Sequence, residues 1–461
     1  MRTRRFEEPE PHMVSAAEQL ASNLNFGAFA KAEELKKRIW FTLGALLVYR
    51  LGTFIPLPGI DPQRFAEIFE RSSQGILGLV NLFSGGAIER MAIFALNIMP
   101  YISASIIMQL MSSIVPSLEA LKKEGEQGRK QINQYTRYLT VALATFQAYG
   151  ISIGLEGQGV VYDPGWFFRV STVITLVGGT MFLMWLGEQI TQRGVGNGTS
   201  LIIFVGIVAG LPSAMAGLFE LSRTGALRPE ILILLLIVML ATVAAIVYME
   251  RAQRRLLIQY PKRQVGNRMF QGEASHLPLK LNSSGVIPPI FASSLLLLPI
   301  TAAQFMSTGQ SGPEWLTNAV ALLGRGQPVY LLTYVALIVF FAFFYTSVVV
   351  NATDTADNLR KYGGFIPGIR PGAKTAEYID YVLTRITVLG AIYLALVCVL
   401  PEMMISYWAV PFYFGGTSLM IAVSVTMDTV AQVQSHLIAQ QYEGLIKKAK
   451  LRGASTRGGR R

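Results

Sequence analysis

Residues 91–115 form a run of 25 amino acids without a formal charge, entered directly from a polar, glycine-rich and charge-bearing prelude at 81–90. Crossing about 30 Å of hydrocarbon at about 1.5 Å per residue takes about 20 apolar residues in a helix, so this run is long enough to span a membrane. Nine similar runs recur, at 39–55, 138–155, 170–187, 199–219, 231–249, 285–306, 328–353, 386–401 and 407–427, and Arg50 is the one formal charge inside any of them. With 52% of 461 residues hydrophobic and 15% charged, the composition excludes an ordinary soluble domain. The chain reads as an integral membrane protein with ten helical spans.

An anchor helix would be uniformly apolar. The run at 91–115 instead carries Asn97, Tyr101, Ser105 and Gln109 at every fourth position, a polar seam that must face protein or water. Pro100 interrupts this span, Pro288 and Pro289 fall in the first turns of the seventh, and Gly415, Gly416, Thr417 and Ser418 soften the tenth. Such breaks are tolerated at membrane depth where neighbouring helices or a water-filled cavity satisfy the freed backbone groups. They fit a conducting path and an ordinary helix bundle equally well.

Thirty-two of the 40 Lys and Arg lie in the two terminal tails and in the even-numbered connections between spans. The positive-inside rule therefore places both termini and these loops in the cytoplasm, in agreement with an even span count. The first 38 residues are polar and charged, so no cleavable signal peptide is expected, and 16–38 reads as a weakly amphipathic segment for an anionic inner leaflet. A net charge of +12 fits an inner-leaflet contact, an acidic protein partner or RNA, and sorting by the positive-inside rule accounts for part of it. The loops 250–284 and 354–385 are too long for mere connections, which marks them as carriers of function.

Chemistry is mostly excluded. His12, His276 and His436 lie outside the spans, so neither a metal cluster nor a buried proton relay is expected, and Cys398 alone forms no intramolecular disulfide. The GVGNG of 194–198 lacks the Lys-Ser/Thr of a phosphate-binding loop and reads as a turn followed by a helix start. Asp354, Asp357, Glu188 and Asp428 fall near span ends, where carboxylates pair with local basic residues. No catalytic constellation and no cofactor are expected.

Five long stretches carry a resemblance: NLFSGGAIERMAIFALNIMPYISASIIMQL, WLGEQITQRGVGNGTSLIIFVGIVAGLP, HLPLKLNSSGVIPPIFASS, TADNLRKYGGFIPGIRPG and PFYFGGTSLMIAVSVTMDTVAQVQ. Together they are similar to the bacterial SecY family, the large subunit of the Sec protein-conducting channel, in register from about residue 35 to about residue 452. The resemblance implies an all-α polytopic fold of ten transmembrane helices in two pseudo-symmetric, inverted five-helix halves. The halves would be 39–219 (spans one to five) and 220–433 (spans six to ten), between cytoplasmic tails 1–38 and 434–461. A pore ring would fall on Ile98, Ile102, Thr199, Ile203, Ile290 and Ile421. Such an apolar collar resists wetting yet offers a passing chain no hydrogen bonds, and Thr199 departs from its usual bulky aliphatic.

The same resemblance makes 76–90 a plug that closes the outer funnel, with Asn81, Phe83, Ser84, Gly85 and Gly86 in it. It implies a lateral gate of spans two, three, seven and eight, bearing Asn97, Ser103, Ser105 and Leu298. It also implies a docking site for the ribosome and a SecA-type motor ATPase at Arg370, Arg254, Arg255, Lys262, Arg263 and Arg268, where arginine can grip phosphate or carboxylate bidentately. SecE and SecG would be membrane partners, the substrates signal-bearing unfolded precursors, and the location the bacterial cytoplasmic membrane. The channel itself would not be an enzyme. The rival readings are a secondary solute transporter with inverted repeats, which usually places ionisable groups at mid-membrane, and a membrane anchor or scaffold, which needs no polar seam.

Overall fold

Inside hydrocarbon every backbone N–H and C=O must be paired, a helix does so within its own segment, and the apolar runs become helices over most of their length. The computed structural model describes residues 33–72, 81, 84–225, 228–260, 263–265, 268–270, 274–296, 327–408 and 416–457. The order is α1 Glu33–Gly52, α2 Pro62–Ser72, α3 Met99–Ile114, α4 Pro116–Lys123, α5 Glu126–Gly157, α6 Trp166–Arg193, α7 Gly198–Arg223 and α8 Pro229–Arg251. Four strands follow, β1 Gln253–Gln259, β2 Arg263–Val265, β3 Arg268–Phe270 and β4 Ala274–Lys280. Then come α9 Ile287–Leu296, α10 Pro328–Val349, α11 Ala352–Lys361, α12 Ala373–Trp408 and α13 Gly416–Arg457. Six of the described helices are long and apolar enough to cross a membrane, and the pair α3 and α4, bent by 97°, makes a seventh if it is one span.

Several boundaries differ from the expected ones. The second span starts at Met99 rather than at residue 91, and Pro100 sits in its first turn instead of interrupting it. A helix begun at 91 would set the proline ring against the Leu96 carbonyl, whereas in the first turn the missing N–H has no partner to lose. Residues 85–98 are turns instead, save for an isolated antiparallel bridge of Ala92 to Pro56, with Met91 and Asn97 in left-handed backbone at φ 43° and 50°. Asn97 therefore stands outside the helix whose polar seam it was expected to begin. At the other end of the chain α12 continues through Tyr407 to Trp408, and α13 starts at Gly416, whose backbone lies so close to the Val397 carbonyl that no Cβ fits.

The loop between α8 and α9 departs from the all-helical expectation. β1 pairs antiparallel with β4, from Gln253 opposite Lys280 to Gln259 opposite Ala274, and β2 pairs with β3 within the same excursion. Burial alternates along β1, with Leu256 and Ile258 inward between exposed Arg255, Leu257 and Gln259, the period-two pattern of a strand with one covered face.

In the N-terminal part α5 packs on α3 and α6, α6 on α7, and α1 on α6 and α7. In the C-terminal part α12 packs on α10 and α13, and α8 on α13. Contacts of α7 with α8 and α13, and of α13 with α1, join the two. Phe291 of α9 meets Phe341 and Tyr345 of α10 edge-on, at centroid distances of 5.7 and 6.4 Å, a favoured geometry for aromatic pairs. One large apolar cluster runs through both parts, and a second, around Leu57, Phe65, Phe69, Leu155 and Phe168, seats α2.

Candidate functional site

Five of the six residues expected at a constriction belong to the large cluster. Ile98, Ile102, Ile203 and Ile421 are buried within it, and Ile290 packs against it. They come from the start of α3, from α7, α9 and α13, so four separate elements contribute aliphatic side chains to one continuous apolar region. Thr199 is half-buried in the first turn of α7, one turn before Ile203, with its N–H donating to the Asn197 side chain at 3.1 Å.

The turn 194–198 is tied down from three helices. The Val195 N–H donates to Thr42 Oγ1 of α1 at 3.0 Å, Gly196 N–H to Gln432 Oε1 of α13 at 2.9 Å, and Gly198 N–H to Thr191 Oγ1 of α6 at 2.9 Å. Asn197 caps α7 by accepting from the N–H groups of Thr199 and Ser200. The expected turn and helix start are present. Nothing in the sequence marked Thr42 or Gln432 as its partners.

Ser84 and Gly85 lie against α1, and Gly85 also against α7, while Asn81 and Gly86 are bonded to each other within the segment. Ser84 is fully buried, its hydroxyl donates to the Asn81 carbonyl at 3.0 Å, and the Asn81 side chain accepts from the Glu89 N–H at 3.0 Å. Tyr49 Oη donates to the Ser84 carbonyl at 3.3 Å, and Arg50 Nη1 donates to the Gly85 carbonyl. Gly85 and Gly86 have φ of 65° and 83°, and a Cβ on Gly85 would stand 3.0 Å from the Gly206 Cα. Glycine is required at 85 on both counts. That Arg50 is the sole charge within a span was the signal that could have found this contact.

The two long loops fold together. Gln259 and Phe365 exchange backbone hydrogen bonds of 2.9 and 3.0 Å, so the segment after α11 adds to the edge of the hairpin. Leu256 and Leu279 of the strands share a core with Ile366, Ile379, Val382, Leu383 and Ile386. Arg370 is exposed in the turn before α12, between Gly368 and Gly372 at positive φ, and its carbonyl accepts from Thr375 Oγ1 at 3.0 Å. Arg254 and Arg255 are exposed on β1, and Arg263 and Arg268 fall on the short distal strands β2 and β3.

Of the expected gate residues, Asn97 and Ser103 are buried, and Ser105 is half-buried and accepts from Gln109 Nε2 at 3.3 Å. Glu188 of α6 is gripped bidentately by Arg137 of α5, with nitrogen to oxygen distances of 2.8 and 2.7 Å, the pairing expected of a carboxylate near a span end. Phe83, Lys262 and Leu298 lie outside the described residues.

A bundle of long apolar helices, with an irregular segment folded in against it and one joint domain built from two loops, defines a polytopic helical membrane protein. The SecY family profile matches residues 92–430. The chain is 57% identical to the protein translocase subunit SecY of Rickettsia felis over 424 residues, covering 91% of this chain and 97% of that one. It belongs to the SecY family. Its fold is similar to that of a SecY channel whose plug domain is described as stabilising the closed state and maintaining a membrane seal. The TM-score is 0.63 at 17% identity, over 87% of this chain and 92% of that one. It is also similar to Sec61 in a canine ribosome-channel complex, with a TM-score of 0.59 at 15% identity over 87% and 92%.

Proposed function

We propose that this chain is the central subunit of a protein-conducting channel, which passes unfolded, signal-bearing polypeptides across the bacterial cytoplasmic membrane and releases transmembrane segments sideways into lipid. The observation that carries the reading is the gathering of Ile98, Ile102, Ile203, Ile290 and Ile421 from four elements into one apolar region, in a chain of the SecY family. Such a collar around a narrow path seals against ions and holds no passing backbone.

Ten spans in two inverted halves are supported by the way the packing repeats. If α1, α3, α5, α6 and α7 are spans one to five, and α8, α9, α10, α12 and α13 spans six to ten, the contacts three with four, four with five and one with five recur as eight with nine, nine with ten and six with ten. Residues 76–90 act as the plug, as in the structural relative described by its plug. Spans two, three, seven and eight form the lateral gate, where the small polar residues Ser103 and Ser105 let helices part without stranding a large apolar face.

The joint loop domain is the docking site for the ribosome and a SecA-type motor, with Arg370 at its tip and both termini on the same cytoplasmic side. The Sec61 relative in its ribosome complex supports the first partner. Energy comes from those partners, the chain acting as a conduit and not as an enzyme, and SecE-type and SecG-type subunits complete the channel. The test is reconstitution with a SecE-type subunit and motor, measuring ATP-dependent protease protection of a signal-bearing precursor. Protection with wild type and its loss with Arg370→Glu are expected. Intact transport by Arg370→Glu refutes the docking role, and no transport by wild type, beside an active translocon under the same conditions, returns the solute-transporter reading.

A further inference from the structure

We infer that Arg50 is the latch that holds residues 84–86 in their closed seat, a positioning role that rests on the plug reading proposed above. Tyr49 and Arg50, consecutive in α1, bind the consecutive carbonyls of Ser84 and Gly85. The second bond is charge-assisted and therefore the stronger. It is reached only because Gly85 lacks a Cβ, which lets its backbone lie against Gly206 of α7 while its carbonyl faces the guanidinium. Among the described residues no carboxylate comes within 4.0 Å of the Arg50 guanidinium. What holds the charge is the Gly85 carbonyl, a 3.4 Å hydrogen bond to Thr53 Oγ1 and the ring of Phe54, whose centroid lies 5.0 Å away.

The same ring carries a second guanidinium, that of Arg90, at 4.3 Å. Arg90 belongs to the plug segment itself, so two like charges share one aromatic ring in the closed seat. Their repulsion works against the hydrogen bond to Gly85 and is relieved when the segment leaves. The seat is thereby firm at rest and releasable. On departure the segment takes its carbonyls with it, and Arg50 exchanges Gly85 for water in the widened funnel, where a charge is well solvated.

The experiment is ion flux through the reconstituted channel complex, comparing wild type, Arg50→Gln, Arg50→Lys, a deletion of 76–90, and the deletion combined with Arg50→Gln. A companion measurement is the labelling of Ser84→Cys by a membrane-impermeant thiol reagent, with and without Arg50→Gln. Losing a charge-assisted bond from the closed state should raise resting leak about tenfold or more. Arg50→Gln is expected to leak and to expose the thiol introduced at position 84, Arg50→Lys to leak less, and the deletion to leak equally with or without Arg50→Gln. A tight deletion mutant overturns the plug reading and the latch with it. A leaky deletion with a tight Arg50→Gln overturns the latch alone. So does further leak when Arg50→Gln is added to the deletion, or leak by Arg50→Gln with the introduced thiol still protected, because Arg50 would then act elsewhere.

Discussion

Thr42→Val isolates what one buried backbone hydrogen bond contributes at the turn that joins α6 to α7. Thr42 is 8% exposed, and its hydroxyl donates to the Arg38 carbonyl at 3.0 Å and accepts from the Val195 N–H at 3.0 Å, with Val195 only 3% exposed. Valine has nearly the same shape, so no cavity opens. The Arg38 carbonyl keeps its bond within α1. The Val195 N–H, however, has no room to turn to another acceptor, because Gly194 already presses on the Thr42 side chain so closely that a Cβ there would collide. A stranded buried donor costs about 1–3 kcal/mol, which is about a fivefold to 150-fold change in an unfolding equilibrium. Thr42→Ser keeps the hydroxyl and should stay within about 1 kcal/mol of wild type. The assay is reversible unfolding in mixed detergent micelles, followed by tryptophan fluorescence, for both variants and for Thr42→Val combined with Gln432→Ala. Because Thr42 and Gln432 hold neighbouring N–H groups of one turn, the double variant should lose less than the sum. Equal stability of Thr42→Val and Thr42→Ser would refute the argument.

Ile379 is fully buried in the core that joins the hairpin to the segment before α12, so Ile379→Ala should cost about 2–5 kcal/mol there. Faster limited proteolysis within 253–280 and 354–372, with the membrane helices intact, is the expected sign. Thr199→Ile should lower resting ion leak by completing the proposed aliphatic collar, and unchanged single-channel conductance would remove Thr199 from the proposed ring.

The bulk of the architecture was legible because the membrane imposes a coarse rule. A run of about twenty residues without charge is helical over most of its length, and where it is not, as at 91–98, the backbone is buried in protein. Boundaries were less legible, since Pro100 ends one possible helix and begins another depending on which turn it occupies. The strands were missed because Leu256 and Ile258 offer only two inward positions in a loop dense with arginine. Thr42 and Val195 stand 153 residues apart, and a single sequence holds no trace of such a contact. The five isoleucines look like any lipid-facing residues, so only the family resemblance could single them out.

The contacts around α1 concentrate vulnerability in one helix. Thr42 holds the turn that starts α7 and that Gln432 ties to α13, while Tyr49 and Arg50, two helical turns further along the same helix, hold the segment at 84–86. Seven residues separate Thr42 from Tyr49, which places them on nearly the same face about 10 Å apart. Every one of these bonds runs from a side chain to a backbone group of its partner. Substitutions in the turn or at 84–86 therefore leave the bonds available, provided the glycines keep the backbone shape, whereas a single change in α1 removes one outright. A rigid helix carrying both attachments also links them mechanically. A shift of α1 relative to α7, which packs directly on it, is felt at the 194–198 turn and at Gly85 together, since Gly85 rests on Gly206 of that same α7.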